Sequence, residues 1–398
     1  MRMADLKRFE SESTAWLIAN CPPSQRMPPE NPEDLVYGGR QYVFPSEDAR
    51  IWLERMVAKG WTVPDWPESY GGAGLDATEQ RILQKVMRRL GCRAPLSGHG
   101  VWMLGPALLE FGTEEQKRLH LPRIARGEVR WSQGYSEPGA GSDLASLRCR
   151  CEDQGDHFLV NGQKCWTTDG HLADWIFVLV RTDPDNPVKQ AGISFLLIDM
   201  QSPGVSARPV DLISGESHFS DTFFDDVLVP KKNLVGQLNE GWSVAKALLV
   251  HERAMMSRLQ EIAPSPPYSL LDAARRYLSW QNGRVADPTL RDEMTRHLMN
   301  RQAMNLAQRR AVEEGRAGRL DKVPTTFFKA YATEEDKRRD ELLVRMMGNR
   351  ALAWAGSSFT EEELKMTKLF FLDKSLSIGG GTTEVQLNLV AKALGLPG

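Results

Sequence analysis

Apolar residues recur at helical spacing through the first third of the chain. Residues 46–59 (SEDARIWLERMVAK) put Trp52, Leu53 and Met56 on one stripe, and residues 78–90 repeat the spacing with Ile82, Leu83, Val86 and Met87. Between them WPESYGGAGL (residues 66–75) is rich in Gly and Pro and predicts a loop. Thr113-Glu114-Glu115-Gln116 has the form of a helix cap, and Pro122 and Gly127 are expected to limit the helix it opens. From about residue 131 the period shortens to two. HFLVNGQKCWTT alternates apolar and polar residues around Asn161-Gly162, a pair that predicts a hairpin turn. DWIFVLVRT, GISFLLIDM and SDTFFDDVLVP follow at strand length. Helical spacing returns from Asn239, interrupted at residues 264–267 and again at Ile378-Gly379-Gly380-Gly381. This order predicts an α+β chain: helical over residues 1–130, β over 131–235 and helical again over 236–398.

The length of 398 residues suits two or three domains. With 41% apolar and 26% charged residues, the chain has the composition of an ordinary globular protein. Fifty basic against 52 acidic residues give a net charge of −2, which argues against nucleic acid or an anionic membrane as a partner. Five cysteines are too few for a disulfide framework, and the odd number suits a reducing, cytoplasmic setting. The longest apolar run is the six residues from Trp175 to Val180, so no membrane helix is expected. The opening MRMADLKRFESES lacks the apolar core of a secretory leader.

No metal site is expected. Cys149-x-Cys151 has no second pair at zinc spacing, the seven histidines form no HExxH, and no P-loop or GxGxxG after a strand is present. Three segments remain. In WSQGYSEPGAGSD (residues 131–143), small residues cluster where the chain leaves a strand. Backbone N–H groups could there approach a phosphate or flavin edge, or the segment could be a plain turn. In NGQKCWTT (residues 161–168), Trp166 and Thr168 fall on one face of a strand. They suit a flat heteroaromatic ring, or equally a core Trp with solvated threonines. The third is His251-Glu252-Arg253 with the late Gly379-Gly380-Gly381-Thr382-Thr383-Glu384. On a helix, Glu252 has Leu248 and Leu249 one turn before it and Met255 and Met256 one turn after. A carboxylate there is either desolvated and tuned as a base, or satisfied by a partner from another helix.

Together these segments resemble the acyl-CoA dehydrogenase family. WPESYGGAGL, FGTEEQK, SEPGAGSD, NGQKCWTT, HERA, IGGGTTE and the tail LVAKALGLPG match that family's markers in order along essentially the whole chain. The resemblance implies an N-terminal helical domain, a central β-barrel or sandwich domain and a C-terminal four-helix bundle. FAD would lie between them and a neighbouring subunit. It implies α,β-desaturation of an acyl-CoA substrate in acyl-CoA catabolism, with an electron-transferring flavoprotein as acceptor and a tetrameric or dimeric assembly. It places Gln133, Gly134, Tyr135, Ser136 and Ser142 on the FAD, with Ser142 also near the CoA arm. Trp166, Thr167 and Thr168 would lie by the isoalloxazine, and Thr382 and Glu384 on the cofactor. His251, Arg253 and Lys392 would face the substrate.

Many members carry the catalytic glutamate directly before the Gly-Thr of the late loop, where this chain has Gly380. Isovaleryl and long-chain enzymes place it on the helix that here carries Glu252, so the resemblance implies Glu252 as base. The Gly380 N–H remains to polarise the thioester oxygen, and a branched, cyclic or otherwise bulky acyl group is expected. Other departures fall on the neighbouring-subunit FAD contacts. Arg-x-x-Phe-Gly is not recognisable near Tyr277, Gln-x-x-Gly-Gly appears only as Arg345-Met346-Met347-Gly348-Asn349, and Leu387 replaces an Arg. Such erosion is similar to that of subunits paired with a paralogue. The alternatives are a flavin oxidase or monooxygenase on the same fold, or a non-catalytic partner subunit.

Overall fold

The computed structural model describes residues 2–29, 32–262, 268–319 and 322–396, with backbone alone at 2–3, 32, 252–262, 316 and 322–326. The expected break at residues 264–267 lies outside the described residues. Two compact units form, one from residues 1–210 and 217–264, the other from 211–216 and 265–398.

The first unit opens with helices α1 (Arg2–Asn20), α2 (Glu47–Ala58), α3 (Ala77–Arg89), α4 (Gly105–Phe111) and α5 (Glu114–Ala125). Local chemistry sets their ends. Asp76 with Glu79 and Thr113 with Gln116 form reciprocal capping boxes. Pro122 does not end α5 as expected but sits inside its last turn; the helix stops before Gly127, whose φ is +69°. The predicted stripes of α2 and α3 are the buried ones, with Trp52, Leu53, Met56, Leu83 and Val86 inside.

Strands β1 (Trp131–Gly134), β2 (Arg150–Asp153), β3 (His157–Thr168), β4 (Trp175–Arg181), β5 (Ile193–Asp199), β6 (Val205–Val210), β7 (Phe219–Pro230) and β8 (Leu234–Val235) follow. They make two sets, β6-β7-β3-β2 and β1-β4-β5-β8, joined through the single pairing Arg150↔Arg181. The sets face each other across one core. Phe158, Val160, Phe224 and Val227 come from the first, and Ile176, Val178, Leu196 and Ile198 from the second. The alternate residues Phe177, Leu179, Phe195 and Leu197 point the other way, onto Leu104, Leu108, Leu121 and Ile124 of the helices. Burial on both faces is why β4 reads as an unbroken apolar run.

Asn161-Gly162 is not a hairpin turn. β3 runs straight through it, with a register shift between Val160 and Gly162 against β7, and Gly162 takes φ +150°. The turn into β3 lies earlier, around Gly155 (φ +94°). A bulge and a turn both need a residue free of steric penalty at positive φ, so one dipeptide serves either. A second shift, between Lys164 and Thr167, breaks the strict alternation that put Trp166 and Thr168 on one face; Trp166 itself takes φ +58°.

Helix α6 (Gly241–Ile262) packs Val244, Ala245 and Leu248 into the same core as β5. In the second unit α7 (Leu270–Tyr277), α8 (Pro288–Arg316), α9 (Lys322–Met347), α10 (Glu361–Leu372) and α11 (Thr383–Ala393) follow. Leu342, Leu343 and Met346 of α9 pack there against Ala273, Met294 and Met366.

Candidate functional site

β1 brings residues 133–136 beside the end of β3. Cys165 N donates to the Ser136 carbonyl at 2.9 Å, and Ser132 Oγ to the Thr168 carbonyl at 2.8 Å. The predicted residues then divide by exposure. Gln133, Ser136 and Thr168 are half-buried, and the Trp166 indole is 58% exposed. Gly134, Tyr135 and Thr167 are turned inward. A Cβ at Gly134 would lie 2.4 Å from Val178 Cγ1, so glycine lets β1 approach β4. The Tyr135 ring meets Phe177 edge-on at 6.1 Å. The Thr167 hydroxyl donates to Ser220 O at 2.7 Å and lies 2.8 Å from Thr222 Oγ1.

Residues 137–149 are anchored by a buried ion pair that no local sequence signal announces. Lys164 Nζ lies 2.7 Å from Glu137 Oε1 and donates to the Tyr135 carbonyl at 3.1 Å, with no exposed surface of its own. Glu137 also accepts the N–H groups of Arg148 (2.6 Å) and Cys149 (2.8 Å). A carboxylate with two N–H donors and an ammonium is a satisfied buried pair, which fixes geometry more than it adds stability. From this anchor Gly139, Gly141 and Ser142 project outward; a Cβ on either glycine would meet nothing within 4 Å. Burial pushes the Cys149 thiol up to about 11 and Cys151 to about 12, which suits inert packing. Past Thr168 the chain turns at Asp169 (φ +51°), whose carboxylate takes Arg130 Nη2 at 2.6 Å.

On α6 the buried stripe Val244, Ala245 and Leu248, continued by one turn, reaches position 252. The side chains of Glu252 and Arg253 lie outside the described residues. His251, just before them, is half-buried.

In the second unit, Gly379, Gly380 and Gly381 form an exposed to half-exposed loop, with φ +67° at Gly380 and +96° at Gly381. Lys329 of α9 braces it, donating to the carbonyls of Leu376 (3.0 Å) and Gly381 (2.7 Å). Burial lowers the pKa of this ammonium, which nonetheless satisfies two carbonyls. Sequence spacing gave no hint of Lys329. Among the described residues no backbone carbonyl takes the Gly380 N–H. Thr382 caps α11, its hydroxyl accepting from Val385 N at 3.2 Å. Glu384 stands exposed in the first turn, held below the usual carboxylate range by its own N–H and by Thr382. Lys392 is exposed near the end of α11, and Arg345 pairs with Glu293.

In order along the chain, a helical block, a two-layer β unit with a strand-end loop and a second helical block with a late glycine loop define an acyl-CoA dehydrogenase architecture. The chain matches the acyl-CoA dehydrogenase N-terminal domain over residues 36–128, the middle domain over 132–227 and the C-terminal domain over 239–395. It belongs to that family and is an oxidoreductase of the acyl-CoA dehydrogenase type. It is 33% identical to acyl-CoA dehydrogenase IpdE1 of Mycobacterium tuberculosis, covering 99% of each chain. Among solved structures it resembles the Tcur3481-Tcur3483 steroid ACAD, at 30% identity and a TM-score of 0.72 over 99% of this chain and 98% of that one. It also resembles the ChsE4-ChsE5 complex from Mycobacterium tuberculosis, at 29% identity, a TM-score of 0.72 and the same coverage. No helix of the described residues is long and apolar enough to cross a membrane.

Proposed function

We propose that this chain binds FAD and catalyses α,β-desaturation of a bulky, ring-bearing acyl-CoA, with Glu252 as the base. The observation that carries the reading is the occurrence together of Gly380, where many relatives carry the glutamate, and Glu252 on α6, one helical turn after the buried Leu248. The cofactor fits the residues present. An indole as exposed as Trp166 offers an uncovered aromatic face for a planar ring system, beside half-buried Gln133, Ser136 and Thr168 for its polar edge. The empty Cβ positions of Gly139 and Gly141 leave room for a phosphate-bearing group against the backbone. In the second unit Thr382 and Glu384 would serve the same cofactor.

When bound, FAD supplies the acceptor for the β hydride. Glu252 takes the α proton onto its carboxylate as general base. The Gly380 N–H donates to the thioester oxygen as negative charge gathers there; one such donor contributes ~3 kcal/mol. Lys329 holds the loop that aims it. Ser142, His251, Arg253 and Lys392 contact the CoA and acyl portions. A base carried on α6, with no side chain at 380, suits a ring-bearing acyl group. The steroid ACAD relative supports that substrate class.

A heteromer with a paralogous subunit, reoxidised by an electron-transferring flavoprotein, completes the proposal. It draws support from Arg345-Met346-Met347-Gly348-Asn349 at the expected adenine-end segment and from the ChsE4-ChsE5 relative. The test is anaerobic addition of acyl-CoAs to the purified yellow protein, alone and with its paralogue. Bleaching by a ring-bearing acyl-CoA with kcat/KM at least ~10-fold above straight short chains is expected. Preference for straight short chains refutes the substrate class, and a flavin-free protein in both preparations refutes the enzyme reading. Peroxide release in air as the main outcome would make it an oxidase.

A further inference from the structure

The N-terminal helical block holds a pair of thiols that the proposed desaturation does not use. Cys21 follows α1 directly, its N–H donating to Leu17 O at 3.0 Å, and is 3% exposed. Cys92 follows α3, its N–H donating to Met87 O at 2.9 Å, and is half-buried. Residues 21–26 and 91–93 are tied together. Arg93 N donates to the Gln25 carbonyl at 2.8 Å, and a Cβ on Gly91 (φ +69°) would lie 2.5 Å from the Arg26 carbonyl. Both thiols belong to one apolar cluster with Leu17, Trp52 and Met56. The Cys21 thiol donates to the Pro22 carbonyl at 3.8 Å and the Gln25 carbonyl at 3.7 Å, and Arg26 Nε donates to the Cys21 carbonyl at 3.1 Å. Both cysteines are free.

We infer that Cys21 and Cys92 form a reversible peroxide-sensitive dithiol, closing to a disulfide that fastens the end of α1 to the end of α3. The chemistry divides by exposure. The half-buried Cys92 is the thiol open to peroxide, lowered by the neighbouring Cys21 and by Arg26, whereas Cys21 is enclosed and raised by Cys92 and by burial. Cys92 S⁻ attacks hydrogen peroxide, the O–O bond breaks, hydroxide leaves and the sulfur becomes a sulfenic acid, oxidised by two electrons. Cys21 sulfur then attacks the Cys92 sulfur. The S–S bond forms, the S–O bond breaks, and the Cys21 proton leaves with the departing hydroxide as water. A thiol reductant returns both electrons. The other half-buried cysteine, Cys165, has its thiol raised by burial and serves as an internal control.

The experiment treats the intact chain with an equimolar amount of hydrogen peroxide, alkylates the remaining thiols and maps the cysteines by mass spectrometry. Expected is a linked pair of peptides carrying Cys21 and Cys92, lost on adding dithiothreitol, formed at least ~10-fold faster than any change at Cys165. Closing so long a loop is also expected to raise the Tm by roughly 5 °C. In Cys21→Ser the Cys92 sulfenic acid should persist and be trapped by dimedone. Oxidation of Cys165 before Cys92, or consumption of Cys92 without a link to Cys21, overturns the assignment. The wild-type measurement stands by itself if that variant fails to fold.

Discussion

Replacing Lys164 by Met tests what holds the loop proposed to meet the cofactor. The ammonium is fully enclosed, 2.7 Å from Glu137 and 3.1 Å from the Tyr135 carbonyl. Breaking a buried pair by removing one partner costs about 3–5 kcal/mol, because the other charge is left uncompensated. Here the carboxylate keeps two donors, the N–H groups of Arg148 and Cys149, which places Lys164→Met near the lower end, about 3 kcal/mol. Glu137→Gln leaves the ammonium with one carbonyl and no counter-charge, so about 4 kcal/mol is expected. The double variant should lose less than the sum by about 1–2 kcal/mol, since one interaction is removed twice. Urea unfolding measures all three, and flavin retention after gel filtration reports the loop, with weaker binding expected in each single variant. A loss under about 1 kcal/mol for Lys164→Met, or strict additivity, would refute the claim that this pair anchors residues 137–149.

Lys329→Met should loosen the glycine loop by removing donors to Leu376 and Gly381; a loss of about 1–3 kcal/mol in the unfolding of the second unit is expected, and an unchanged denaturation curve would contradict it. The Asp373 carboxyl is pushed up to about 8 by burial and by Asp340 beside it, against the pull of Arg339. Because the folded value lies above the ordinary value of about 4, its stabilising contribution is full below about pH 4 and is lost as pH rises through about 8. Asp373→Asn should therefore gain on the wild type in Tm as pH is raised across that window; a gap that stays constant would refute it. His120, enclosed by Trp131 and Trp175, is pushed down to about 4 by burial, so its contribution is present above about pH 6.5 and is lost as pH falls through about 4. His120→Phe should flatten the loss of Tm between those values, and an undiminished loss would count against it.

Much of the fold was legible because its signals are local. Capping residues three apart marked where α3 and α5 begin, and stripes such as Trp52, Leu53 and Met56 marked their buried faces. The change of period near residue 131 located the β unit for the same reason. What failed was a distinction composition does not carry. Asn161-Gly162 permits a bulge as readily as a turn, and pairing with β7, some sixty residues later, decided between them. Proximity was also invisible. Glu137 and Lys164 stood inside two segments singled out for chemistry, yet their pairing depends on β1 lying against β3. Lys329 reaches a loop some fifty residues further on, and no spacing rule connects them. The resemblance places Thr167 by the isoalloxazine, and no local spacing shows that its hydroxyl meets Ser220 and Thr222 of β7.

The proposed role of Glu252 is tested most directly by anaerobic titration of wild type and Glu252→Gln with a ring-bearing acyl-CoA, following the visible absorbance of the flavin. The account predicts stoichiometric bleaching of the wild type and none in the variant, which should still bind flavin and the acyl-CoA, as seen by an unbleached spectral shift. Bleaching of Glu252→Gln at the wild-type rate would place the base elsewhere and contradict the account.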